Sequence, residues 1–280
     1  LPISAREAFT VAQAYFALRS ICLLFGLHTD DDKTYVWALT RRSREQISQL
    51  GFPFCSDASE LGGSMTFGRS RRTRILKNRG RQLQPRWVKL KRSQAPGPQK
   101  LSVLAKVFWP QALHGSSNVV IADSYAHDLR KEAVKALRLN GAGSNPMLRL
   151  SLSDDMQSDP GFYQTSLCFN TFRRMLHKSP DLLQMWNFWM NHFDGQLLPG
   201  PFSRLMQCMS TIGWSMDTPP YVWDHEGHRR NLMKLDNKTL RFLLEDAWLQ
   251  FVASKVRHKT MQGLNGMDGF LTKLEDRKSV

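Results

Sequence analysis

The chain has 280 residues, 41% of them apolar, with eight Trp and sixteen Phe. That composition folds rather than stays disordered, and the length suits about two domains. Lys and Arg outnumber Asp and Glu by 39 to 24, a net charge of +15, which calls for a polyanionic partner, nucleic acid before an anionic membrane.

The chain starts at Leu1, and Arg6 and Glu7 interrupt any secretory pattern before Thr10. No stretch of about 18 apolar residues exists to span a membrane. Cys22, Cys55, Cys168 and Cys208 form no C-x-x-C pair, so neither a zinc site nor a disulfide framework is expected. These features predict an intracellular protein, nuclear or cytoplasmic and not secreted, with reduced thiols.

Ser4-Ala5-Arg6-Glu7 reads as a capping box. Ala8, Val11, Tyr15, Leu18, Cys22 and Phe25 follow at helical spacing, and Gly26 stops the helix. Thr34 to Leu39 is rich in β-formers and predicts a strand. A short helix is expected from Ser43 to Leu50. Phe52 to Phe67 then predicts two short strands turning near Glu60-Leu61-Gly62-Gly63.

From Arg69 to Arg92 the chain holds eleven Lys or Arg and no Asp or Glu. Ile75, Leu76, Leu83, Trp87 and Leu90 give this stretch an apolar stripe, and Pro85 divides it into two helices. Gln94 to Pro98 is a linker, and Lys100 to Leu113 is helical up to Pro110. Asp123 to Leu139 predicts a helix with Ala126, Leu129, Ala133 and Leu137 inward, ended by Asn140-Gly141.

In the second half, Asp159-Pro160 and Ser179-Pro180 are N-cap and N1 pairs opening helices over Phe162 to Met175 and Leu182 to Phe193. The Trp and Met cluster from Met185 to Met190 suits a helix buried in a core. Tyr221 to Trp223 and Asn231 to Leu235 pair as a hairpin around Glu226-Gly227. Leu240, Leu243, Leu244, Ala247 and Phe251 define a long helix, followed by a Gly-rich basic tail.

Four features in order resemble the reverse transcriptases of non-LTR retrotransposons. A helix ending in Gly26-Leu27, then Asp32-Lys33-Thr34 and a strand, resembles the family's motif D. Glu60-Leu61-Gly62-Gly63, with Gly63 extending the turn, resembles the "Y-L-G" of the primer-grip hairpin. The basic helices resemble the start of the thumb. Val107-Phe108-Trp109-Pro110-Gln111-Ala112-Leu113-His114-Gly115 is similar to the thumb-region "P-x-L-L-Y-G". The resemblance covers about residues 4 to 140. Asp stands near Asp30 to Asp32 where the family often has Asn, and His114 replaces the usual Tyr.

The resemblance implies a mainly α fold with a small β part. Residues 1–67 would be the end of a polymerase palm with its helix, strand and primer-grip hairpin; 68–145 a basic helical thumb; 146–280 a further helical region with one hairpin. The whole enzyme would be an RNA-directed DNA polymerase, with RNA and DNA as template-primer duplex, deoxynucleotides as substrates and Mg²⁺ as cofactor. Its metal-binding aspartates would precede residue 4, so this chain would bind nucleic acid, hold no metal and polymerise nothing. The alternative is a stand-alone basic nucleic-acid-binding or scaffold protein.

Within that frame Lys33 matches the lysine that lies near the incoming triphosphate, where a cation can stabilise developing charge. Gly62 and Gly63, lacking Cβ atoms, let the backbone approach a primer strand. Arg71, Arg72, Arg74, Lys77, Arg79 and Arg81 would contact phosphates, making binding salt-dependent. Trp87 is read as core before base stacking. Asp30-Asp31-Asp32 is read as a solvated turn, since consecutive turn residues diverge. His225-Glu226-Gly227-His228 is read as a hairpin tip rather than a metal site, which needs three or four ligands.

Overall fold

Leu83 divides the basic segment into two helices, α3 (Arg74–Gln82) and α4 (Gln84–Arg92). Pro85 sits in the first turn of α4, where its missing N–H leaves no bond unmade. Leu76, Leu83, Trp87 and Leu90 turn inward at 7% exposure or less, so the apolar stripe is the buried side of both helices. The computed structural model describes residues 8–28, 41–50, 57–58, 67–68, 74–118, 121–139, 145–153, 155–191 and 201–260.

Ahead of this segment, α1 (Ala8–Leu24) ends as its glycine predicts. Gly26 takes φ +69°, and the Leu27 amide donates to the Cys22 carbonyl at 2.8 Å. α2 (Arg41–Gln49) begins two residues before the expected Ser43 and packs on α1. The base of the first hairpin is present: β1 (Asp57–Ala58) pairs antiparallel with β2 (Phe67–Gly68). The capping box at Ser4, the strand over Thr34 to Leu39, the Asp30 to Asp32 turn and the tail after Lys259 fall outside the described residues, save Thr260.

The next helix passes Pro110 instead of stopping there. α5 (Gly97–Val103) runs into a π-helical turn, Leu104–Phe108, and then α6 (Trp109–Ala112). The Trp109 amide donates to the Leu104 carbonyl five residues back. The ladder is thus widened just ahead of the proline, where its ring would otherwise crowd a carbonyl. α7 (Asp123–Ala136) ends before the expected Leu139, because Arg138 takes φ 58° and the Leu139 amide closes on the Val134 carbonyl. These helices enclose a first apolar cluster. Trp87 lies 4.1 Å from Phe108 and 6.0 Å from Trp109, ring centre to ring centre.

The second half begins at α8 (Pro146–Ser151), capped by Asn145. α9 (Pro160–Lys178) follows, its N-cap Asp159 accepting the Gly161 and Phe162 amides as predicted. Ser179-Pro180 does not repeat the device. Ser179 is the C-cap of α9, Pro180 and Asp181 form a turn, and α10 starts at Leu182 (Leu182–Asn191). Nor is α10 wholly buried: Met185 is 65% exposed while Trp186 stacks on both Phe172 and Phe202. One side of the helix packs, so the other faces water.

α11 (Pro201–Thr211) lies against α9, followed by β3 (Ser215–Thr218), β4 (Tyr221–Trp223), β5 (Arg229–Asn231) and α12 (Asn237–Thr260). The strands form one antiparallel sheet in chain order, with Met216 opposite Val222 and Val222 opposite Arg230. The hairpin partner is therefore Arg229–Asn231, not Asn231 to Leu235, because the turn closes early: the Asp224 amide donates to the His228 carbonyl at 2.9 Å. Phe162, Phe169, Leu205, Met209, Val222, Leu232, Leu244 and Trp248 belong to a second cluster. One indole ties the halves, Trp109 Nε1 donating to the Ser158 carbonyl, and within the second half Trp248 Nε1 donates to Ser151 Oγ. The chain is mainly helical with a small antiparallel sheet, as the sequence predicts. Among the described residues no helix is long and apolar enough to cross a membrane.

Candidate nucleic-acid interface

With the stripe of α3 and α4 facing the core, the charges of these helices face outward. Lys77, Arg81, Arg86, Lys89, Lys91 and Arg92 are all exposed. Arg81 bonds to Asn78 Oδ1 at 3.4 Å and Arg86 to Gln111 Oε1. Among the described residues none of these six meets a carboxylate. The sequence gives the reason: between Glu60 and Asp123 it has thirteen Lys or Arg and no acidic residue. Exposed cations without internal counter-charges are free to bind phosphate.

Not every predicted contact lies on this face. Arg79 is half-buried, its Nη1 donating to the His114 carbonyl at 2.6 Å and fastening α3 to the turn after α6. Arg74 is the first residue of α3. Lys33, Gly62, Gly63, Arg71 and Arg72 fall outside the described residues. Trp87, at 4% exposure, is core and offers no face for stacking.

The seating of α3 depends on a pair that sequence reasoning missed. Tyr125 of α7 donates its hydroxyl to the Leu76 carbonyl at 2.7 Å. A Cβ at Gly80 would lie 2.6 Å from that hydroxyl, so the glycine makes room for it. Burial pushes the Tyr125 hydroxyl well above its ordinary pKa, with Arg79 opposing. A lone glycine inside a basic helix was the available signal.

No family model matches the chain. No curated protein and no solved structure matches it either. Its chemistry has to be read from its own side chains.

The other cluster with ligand-type side chains is at the second hairpin. His225, Glu226 and Asp246 bring potential ligand atoms within 4.8 Å of one another. The imidazole is already committed. Trp214 Nε1–H, which can only donate, points at His225 Nδ1 at 3.2 Å, and His225 Nε2 lies 2.8 Å from Asp246 Oδ2. His225 Nδ1 is thereby the acceptor and Nε2 carries the proton to Asp246. A metal at Nε2 would move that proton to Nδ1, against the indole N–H. The residues do not fit a metal, and the hairpin-tip reading stands: Gly227 takes φ +82° at the turn.

Asp224 organises that turn. Its fully buried carboxylate accepts the Glu226 and His228 amides through Oδ1, and Arg230 Nε at 3.0 Å through Oδ2. Burial alone would raise this carboxyl, but these donors hold it below the usual aspartate range. Cys168 and Cys208 are free thiols buried in the second core. The hydrogen bond between them raises the Cys168 thiol and lowers that of Cys208.

Proposed function

We propose that this chain binds nucleic acid through the outer face of α3 and α4, as the duplex-holding part of a retrotransposon reverse transcriptase. The observation that carries the reading is the set of outward cations itself. Six exposed cations project from two helices pinned to a core, with no carboxylate partner among the described residues. A rigid cationic face suits a polyanion of regular charge spacing. The polymerase part rests on the ordered resemblance from Gly26-Leu27 to His114-Gly115.

Labelled primer-template duplex titrated at several salt concentrations tests the binding. Affinity is expected to fall linearly in log-log form, with a slope of about −0.9 for each phosphate neutralised. Binding to anionic vesicles that competing RNA does not displace would sink the nucleic-acid reading. No primer extension is expected with Mg²⁺ and deoxynucleotides, because no [FY]-x-D-D turn occurs among the 280 residues.

A second reading, a basic nucleic-acid-binding or scaffold protein without polymerase ancestry, has its own support. The helices from α3 to α12 bury two continuous apolar clusters. Such packing suits a module that folds by its own contacts. Reading the natural transcript upstream of Leu1 separates the two: an [FY]-x-D-D turn in frame favours the polymerase, its absence the free-standing protein.

A further inference from the structure

Lys100 differs from the other cations of the acid-free stretch. It is 5% exposed, at the level of core residues, in the middle of α5. Its side chain has no hydrogen-bond, ion-pair or ring partner among the described residues. The fully buried side-chain nitrogens left without a partner belong to Arg173 and Arg204. Lys100 Nζ is not one of them, so it reaches solvent at the end of a buried stem, as amphipathic lysines do.

A lysine held this way is unusual in two respects. Its stem has lost the freedom that an exposed lysine keeps, so a contact made by Nζ gives up little further entropy. Its amine also meets no carboxylate among the described residues, so an arriving anion has no internal ion pair to displace. The chain offers none nearby in sequence: Glu60 and Asp123 are the nearest acids on either side. Lys91 and Arg92 precede it and Lys106 follows, all exposed.

From this we infer that Lys100 is a preformed phosphate anchor, taking a backbone phosphate of the nucleic acid held by α3 and α4. The inference rests on that reading and adds to it. The anchor is a point contact with a phosphate oxygen and reads no base. It extends the interface beyond the basic helices onto α5.

The test compares Lys100→Met with the unaltered chain, using the same labelled primer-template duplex. Methionine keeps the stem and removes the amine. Two results are expected together: the salt slope falls by about 0.9, and the free protein keeps its melting temperature because methionine preserves the buried stem. Lys100→Arg is expected to restore most of the slope. An unchanged slope with tight binding retained would overturn the anchor while leaving the interface standing. If the unaltered chain fails to bind, the interface falls instead and the anchor with it. If Lys100→Met lowers the melting temperature, Lys100 is a packing residue and the anchor is again overturned.

Discussion

Arg130 of α7 and Asp159 at the start of α9 meet as a two-point ion pair, Nε to Oδ2 at 2.7 Å and Nη2 to Oδ1 at 3.0 Å. Asp159 is wholly buried and also caps α9. The pair therefore joins a helix of the first cluster to a helix of the second. Removing one partner strands the other charge away from water. Arg130→Met is expected to cost about 3–5 kcal/mol in chemical denaturation, and the double change with Asp159→Asn much less than the sum. A loss below about 1 kcal/mol for the single change would show that the pair is not carrying this junction.

The junction is also tight. A Cβ on Gly161 would lie 2.3 Å from Arg130 Nη2 and 2.8 Å from Trp248 Cη2. Gly161→Ala should lower stability by about 1–3 kcal/mol. Gly97→Ala, where a Cβ meets nothing within 4 Å, is the control and should be neutral or slightly stabilising. Equal effects at both sites would mean that crowding at Gly161 relaxes freely.

Asp224 predicts a pH dependence. Its folded carboxyl lies below the ordinary value, so it stays ionised in the fold at pH values where the unfolded chain takes up a proton. Its contribution is complete above the usual aspartate range and disappears as pH falls through the folded value. The penalty for Asp224→Asn should therefore be largest at neutral pH and shrink below the ordinary aspartate pKa. A penalty independent of pH would contradict the ionised, Arg230-paired state.

On the cationic face, Lys89→Ala and Arg92→Ala should each reduce the salt slope of nucleic-acid binding by about 0.9. Their stability should stay within about 0.5 kcal/mol of the parent, as for ordinary surface changes. Trp87→Ala, which empties the core beneath, should instead lose about 3–5 kcal/mol. Slopes unmoved by both surface changes would place the bound phosphates elsewhere.

At the second hairpin, Zn²⁺ is expected to leave the melting temperature unchanged, because Trp214 and Asp246 already occupy both nitrogens of His225. A rise with Zn²⁺ that His225→Gln abolishes would reverse this.

The sequence made the basic helices legible because two signals coincided: charges without acids, and a stripe at helical spacing broken by Pro85. Asp159-Pro160 was equally readable, since capping and the fixed proline φ are local effects. What stayed hidden depends on distant partners. Ser179-Pro180 has the same local form, but its serine was taken by the end of α9. β3 escaped because Ser-Met-Asp-Thr offers one buried side chain, Met216, to a sheet that pairing creates. Pro110 misled because the π turn before it cannot be read from periodicity. Within the site, the outward cations could be predicted, whereas Arg79 bonding to the His114 carbonyl and Tyr125 reaching over Gly80 could not.

The absence of acids between Glu60 and Asp123 acts on folding as well as on recognition. α3 and α4 carry like charges that repel each other, and among the described residues no carboxylate meets the six exposed ones. Dissolved ions screen that repulsion over about 10 Å at 0.1 M. Rising ionic strength should thus steady this half of the molecule while weakening its hold on a polyanion, so that the fold is tightest under the conditions in which the ligand leaves.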